Sequence, residues 1–160
     1  MNAAPAGVYV FDTNALFKRY QDELGSDYVR AVFATPGTVC VISELAILEF
    51  HATLGRLVRA GDMQLASYKP IVAQLGNDVL SSSVQVEVVT GGIMAKAVLL
   101  LDKYGPRRAL SAPDALHLAT MLAMRTRSLD PRLLTSDATF AAIAKAEKIV
   151  VIDPETRSAK

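Results

Sequence analysis

The chain is 160 residues long, and its 17 basic and 16 acidic side chains leave a formal charge of +1, so bulk charge supplies no argument for a nucleic-acid binder. A hydrophobic fraction of 51% excludes a disordered chain, and a chain of this length buries roughly 69% of its unfolded surface, enough for a core without disulfides or structural metal. The single cysteine, Cys40, excludes an internal disulfide and, inside the apolar run Thr38–Ile42, reads as a small core residue.

Met1–Gly7 lacks the basic region and long apolar stretch of a secretion signal, and no later window approaches the ~18 uninterrupted apolar residues of a membrane span. The expectation is one cytoplasmic domain over residues 1–160 with no membrane partner. Val8-Tyr9-Val10-Phe11, short, β-branched and aromatic, predicts a strand, and Asp12-Thr13-Asn14 after it predicts a helix start. Thr38–Ile42 repeats the pattern, entered through Pro36-Gly37 and followed by the N-cap candidate Ser43 and a helix over Glu44–Arg59. Gly61-Asp62 is expected to open a further helix to about Leu75, with Pro70 predicting a kink or break. Val84–Val89 predicts a short strand or an extended connector, and Gly91-Gly92 precedes a helix to about Tyr104.

Beyond Gly105-Pro106, Ser111-Ala112-Pro113-Asp114 opens a helix with Ala115, Leu118, Ala119 and Leu122 on one face. Leu133–Thr135 predicts a brief strand, Asp137–Glu147 a helix and Lys148–Ile152 a last strand. Strands alternating with helices imply right-handed crossovers and a three-layer α/β/α fold around a mainly parallel sheet. Ligands of such sheets bind beyond the carboxyl ends of the strands, which directs attention to the acids placed there.

Asp12 and Asp137 each follow a strand directly, where a helix N-cap is the structural account of an Asp. Asp114 stands in the first turn of its helix, and Ser111-x-x-Asp114 has the spacing of a capping box. Glu49 differs, lying mid-helix among Leu45, Ala46, Ile47, Leu48, Phe50, Ala52 and Leu54. A carboxylate buried there needs a partner, and Arg56 is the structural candidate while a functional role is the alternative. Gathered at one sheet edge, four acids would repel one another and raise one another's pKa, which a hard divalent cation such as Mg²⁺ or Mn²⁺ would relieve.

His117 lies one turn after Asp114 and invites an acid–His dyad. No Ser or Cys has recognisable nucleophile flanks, so it reads as a polar or structural helix residue, and His51 offers still less. No phosphate-binding glycine loop is present, so nucleotide cofactors have no support. Basic residues are scattered, Lys18-Arg19 among them, and read mostly as solvated faces; Arg107-Arg108, just upstream of Asp114, are placed to meet phosphates.

With these residues in order, the chain resembles the PIN-domain family, most closely its VapC-type toxin ribonucleases. The resemblance rests on Val10-Phe11-Asp12-Thr13-Asn14, on Ser43 with Glu49, on Pro113-Asp114-Ala115-Leu116-His117-Leu118-Ala119 and on Leu134-Thr135-Ser136-Asp137, in family order over nearly the whole chain. It implies that Asp12, Glu49, Asp114 and Asp137 hold one or two Mg²⁺ or Mn²⁺ ions, with Thr135 and Asn14 as neighbouring hydrogen-bonding groups. Of Glu44 and Glu49, the spacing from Ser43 selects Glu49. The implied activity is hydrolysis of RNA phosphodiester bonds by a metal-activated water, and the implied partners are an antitoxin protein and a second copy of the chain. Gly61–Gly92 matches no motif. Two other activities fit parts of the pattern: a haloacid-dehalogenase-like phosphohydrolase with Asp12 as nucleophile, in which Asn14 would stand in place of a second Asp, and a non-catalytic RNA- or protein-binding module on the same scaffold.

Overall fold

Five short β-branched runs assemble into one sheet in the computed structural model, which describes residues 4–157. Met1–Ala3, the start of the segment that lacks a secretion signal, lie outside the described residues. The strands are β1 (Val8–Phe11), β2 (Val39–Ser43), β3 (Gln85–Glu87), β4 (Pro131–Leu134) and β5 (Val150–Ile152). The helices are α1 (Thr13–Tyr20), α2 (Ser26–Ala34), α3 (Glu44–Ala60), α4 (Leu65–Leu80), α5 (Gly91–Tyr104), α6 (Ala112–Thr126) and α7 (Ala138–Ala146). The sheet order is β3-β2-β1-β4-β5 with every pairing parallel, so the fold is the three-layer α/β/α arrangement the sequence pattern implies.

Alternate strand residues feed two separate cores, as a sheet covered on both faces requires. Tyr9, Phe11, Cys40, Ile42 and Leu134 pack with Leu16, Val29, Phe50 and Leu54 of the first helices, and Ile71 and Leu75 of α4 close that layer. Val10, Val41 and Leu133 face the opposite way, onto Leu100, Leu118, Met121, Phe140 and Ile143 of α5, α6 and α7. Cys40 sits in the first core as expected, and burial pushes its thiol pKa up to about 12.

Two local expectations are corrected and one helix is added. Gly61 does not open a helix: in the left-handed conformation at φ +82° it ends α3, and the next helix starts at Leu65. Helix α4 then runs unbroken through Pro70 to Leu80, because packing of Ile71 and Leu75 outweighs the one backbone bond proline removes. Helix α2 carries no sequence signal of the usual kind, since its N-cap is Gly25 at φ +96° with no side-chain cap. A Cβ at Gly25 would lie 3.0 Å from the Pro154 carbonyl carbon, so the chain crosses there only with glycine. Among the described residues no helix is long and apolar enough to cross a membrane.

The chain leaves β1 toward β2 on one side and later returns to β4 on the other. The boundary between β1 and β4 is therefore the topological switch point, where a crevice opens at the carboxyl ends. Phe11 pairs with Leu134 in register, which sets Asp12 beside Thr135 as the next residues along both strands.

Candidate active site

Asp12 is the hub of this crevice. It caps α1 by accepting Thr13 N–H at Oδ1 (2.6 Å), while Oδ2 accepts from Asn14 Nδ2 (2.8 Å) and Thr135 Oγ1 (2.8 Å). Three neutral donors thus hold the carboxylate in one orientation, and the side chain is only 7% exposed. The N-cap account of Asp12 is correct, and it is compatible with the acid facing the crevice. Thr135 is itself buried and accepts Asp137 N–H (3.0 Å), so the hydroxyl links the two acids through one atom. Asp137 caps α7 by accepting Phe140 N–H (2.8 Å).

Asp114 enters from the N-terminus of α6. Ser111 Oγ accepts Asp114 N–H (3.2 Å) and donates to Asp114 Oδ2 (2.7 Å), a variation on the capping box in which the hydroxyl serves both roles. Burial lifts the Asp114 carboxyl above its ordinary range, and the Asp137 charge adds to that against the Ser111 bonds and His117. Asp12 is lifted likewise, first by burial, with the Asp114 charge contributing against the opposing pull of His117, Thr135 and Thr13. Asp114 therefore stands between the other two, its charge felt by Asp12 and the Asp137 charge felt by it.

Glu49 is held differently from the expectation of an arginine partner. Helix α3 is amphipathic rather than enclosed, with Ala46, Phe50 and Leu54 buried and Leu48 67% exposed, and Glu49 is half-buried. Its Oε2 accepts from Thr13 Oγ1 (2.6 Å) and from His117 Nε2 (2.7 Å). His117 is buried on α6, and its Nδ1 lies 2.9 Å from Ser43 Oγ. Burial pushes the imidazole pKa down, yet the Glu49 bond and the Asp12, Glu49 and Asp114 charges outweigh it and leave the value above the ordinary one. For Glu49, burial raises the pKa, but the His117 and Thr13 bonds outweigh it and hold the carboxyl below its ordinary range. Both shifts favour the charged forms of this pair, and the role of Nδ1 toward Ser43 Oγ follows the protonation of the ring. Glu44 lies apart, accepting Val89 N–H (2.6 Å) at the far side of β3.

The sequence model of the PIN domain matches residues 9–146 of the chain. The chain belongs to the PIN domain family. Solved structures with the same fold include a toxin–antitoxin complex from Klebsiella pneumoniae, with 23% identity, 91% of this chain and 97% of that chain covered, and a TM-score of 0.60. FitAcB from Neisseria gonorrhoeae shares 13% identity over 91% of this chain and 97% of its own, with a TM-score of 0.64. VapC20 from Mycobacterium tuberculosis, a sarcin-ricin-loop cleaving toxin, shares 20% identity over 84% and 93%, with a TM-score of 0.62. At these identities the likeness is one of fold. A search of curated proteins found no match.

In this PIN domain the four expected acids divide into three aspartates at the crevice and one glutamate tied to His117. Among the described residues no three acidic, imidazole or thiol groups already converge as a closed metal cage. The donor set nevertheless fits a hard cation: Mg²⁺ keeps several waters and takes one or two carboxylates, and Asp12 is buried, Asp114 half-buried and Asp137 open to solvent, with His117 the one positive group that acts on Asp12 and Asp114. Asn14 donates to both Asp12 and Thr135 Oγ1 (3.4 Å), and its Oδ1 accepts Ser136 N–H (3.2 Å), bracing β1 against β4. Arg107 and Arg108 follow α5, with the Arg108 guanidinium 5.6 Å from the Tyr104 ring centroid. Sequence reasoning passed over Thr13, Ser43 and His117 as the setting of Glu49. The available signals were the position of Ser43 directly after a strand and the one-turn offset of His117 from Asp114, which shares its helix face.

Proposed function

We propose that this PIN domain is an endoribonuclease dependent on Mg²⁺ or Mn²⁺, and that it acts in the cytoplasm as the toxin of a toxin–antitoxin pair. One observation carries the reading: Asp12 and Asp114 are both partly desolvated and oriented by neutral donors, with the Asp114 charge raising the Asp12 pKa and the Asp137 charge raising that of Asp114, an arrangement that costs stability unless a cation binds. Asp12 and Asp114 would hold the ion, with Asp137 and Glu49 reaching it directly or through water. A bound divalent ion supplies Lewis-acid stabilisation of phosphoryl oxygens and makes water a stronger nucleophile.

The chain's own groups do the positioning. Thr13 N–H, Asn14 and Thr135 aim the Asp12 carboxylate; Thr135 Oγ1 and the α7 cap fix Asp137; Ser111 turns Asp114. His117 and Thr13 hold Glu49 through Oε2, which leaves Oε1 without a hydrogen-bond partner among the described residues. That free oxygen can orient an attacking water. A phosphohydrolase using Asp12 as nucleophile gains no support from this geometry, since Asn14 presents an amide where a second carboxyl would be required. The fold shared with toxins that are crystallised as complexes supports an antitoxin partner, and a second copy of the chain is the further partner we propose.

Cleavage of total RNA by the purified protein and by Asp12→Asn, each with Mg²⁺ and with chelator, tests the activity. We expect the variant and the chelated enzyme to lose at least about 100-fold in rate, the scale on which removing a transition-state stabiliser acts. Equal cleavage by both proteins, or release of phosphate from small monoesters without RNA cutting, overturns the proposal. Expression in a bacterial host should arrest growth unless a small antitoxin is co-expressed, and normal growth with soluble protein present removes the toxin role.

A further inference from the structure

Helix α7 carries the acid Asp137 at its N-terminus and turns an unusually small face outward. Ala138, Ala142 and Lys145, at i, i+4 and i+7, form one ridge with a cleft on each side. The first cleft, of about 420 Å³, begins at Thr135 and Asp137, passes Ala141 and ends at Arg157. The second, of about 760 Å³, runs from Thr139 along Ile143 to Arg108. Ala138, Ala142 and Lys145 line both, so the two clefts are one saddle over the helix.

The cations on this saddle are free of ion pairs, unlike five others among the described residues. Lys18, Arg19, Arg30, Lys103 and Arg127 are engaged in ion pairs, and Arg125 and Arg132 donate to backbone carbonyls. Arg108, Lys145 and Arg157 have no acidic partner among the described residues. Of the two acids that line the first cleft, Asp137 accepts Phe140 N–H in the α7 cap, and Asp153 has Oδ1 occupied by the Ser136 hydroxyl (3.0 Å) and the Glu155 amide (2.9 Å). Three unpaired cations thus surround a ridge of methyl groups that begins one residue from Asp137.

We propose that the saddle over α7 is the path of the RNA strand, with Arg108 on one side of the helix, Arg157 on the other and Lys145 on the ridge between them holding phosphates that flank the cleaved bond. The proposal rests on the ribonuclease reading above. The alanine ridge lets a sugar–phosphate backbone lie against the helix, where a longer side chain would hold it away. Lys145 stands two turns from Asp137, about 12 Å along the axis, so it engages the strand beyond the reacting phosphate rather than at it. Neither cleft is lined by an aromatic side chain, so the saddle offers no stacking platform and touches the backbone alone. Sequence choice must then arise elsewhere on the protein.

The test compares Arg108→Ala/Lys145→Ala/Arg157→Ala with a control of equal charge change on other helices, Arg56→Ala/Lys69→Ala/Lys96→Ala. Binding of fluorescent uridine and cytidine 12-mers is measured by anisotropy over a salt series, in an Asp12→Asn background with Mg²⁺ so that no cutting intervenes. Each phosphate that the protein no longer neutralises lowers the slope of log affinity against log salt by about 0.7 for single strands. The saddle variant should show a slope smaller by about 2 with both oligomers, and the control little change. In otherwise wild-type protein the saddle variant should raise KM for RNA cleavage at least tenfold with kcat changed less than threefold. An unchanged slope and KM, a reduction equal to the control's, or a reduction with only one oligomer overturns the path while leaving the nuclease intact. If the wild-type protein neither cuts nor binds RNA, both readings fall.

Discussion

Two buried charges in this protein are treated in opposite ways. Lys18 is 4% exposed and is paired with Glu155 (2.9 Å) and Glu23 (3.3 Å), so its charge is neutralised by the chain itself. Asp12 is 7% exposed and receives only neutral donors, with Asp114 close enough to work against its ionisation. Nothing in the local pattern signals the Lys18 pairing, since Lys18-Arg19 reads as a solvated face. A charge that serves the fold is completed from within, whereas the charge at the crevice is kept oriented and incomplete. The second arrangement costs stability, which the proposed binding of an external cation would offset.

The largest expected effect that would break this contrast is on divalent-ion binding. Mg²⁺ or Mn²⁺ should raise the melting temperature of the wild-type protein and leave that of Asp12→Asn unchanged; an equal rise in both would place the ion elsewhere. Next, Lys18→Ala should destabilise by about 2 kcal/mol in denaturant unfolding, because the buried stem is lost while the two glutamates retain access to water. Asp12→Asn should then stabilise the metal-free protein by at most about 1 kcal/mol, since loss of the desolvated charge is offset in part by turning an N–H donor toward Asn14 Nδ2 where the carboxylate accepts. Destabilisation of similar size would mean that Asp12 belongs with Lys18 as a structural charge.

The smallest effect concerns Glu147, which joins α7 to α5 through Lys103 Nζ and Tyr104 OH, both 2.6 Å from Oε1. Burial pushes its carboxyl up, but these two bonds outweigh it and hold the pKa below the ordinary glutamate value. A carboxyl depressed on folding stabilises the protein above its unfolded pKa, about 4.3, and that contribution fades as the pH falls through the lower folded value. Glu147→Gln should therefore flatten the acid limb of stability below about pH 4.3. An unchanged acid limb would show the pair to be inert.

Much of the frame was legible because it depends on local pattern. The runs Val8–Phe11 and Val39–Ser43 are β-branched and bounded by turn or cap residues, and Ser111, Asp137 and Thr90 cap their helices with side-chain oxygens. Helix α2 was not legible, since it begins at an uncapped left-handed glycine and is held by Val29 and Val32 in the core. The three aspartates were legible from their places after strands and at a helix start. The setting of Glu49 was not, because it arises where α3 meets α6 across 68 residues of sequence. Hydrogen bonds of that span carry no periodicity that a single chain can display.

The bond between Thr135 and Asp12 joins residues 123 positions apart, and the neighbouring strands β1 and β4 pair over the same span. During synthesis, β1 leaves the ribosome long before its partner exists, and its central place in the sheet stays half-filled. Pairings of such separation form late. The crevice consequently cannot assemble on a nascent chain until β4 has emerged, so a truncated or stalled translation product carries Asp12 without the Thr135 hydroxyl that orients it. Timing of this kind makes the crevice a property of the finished chain.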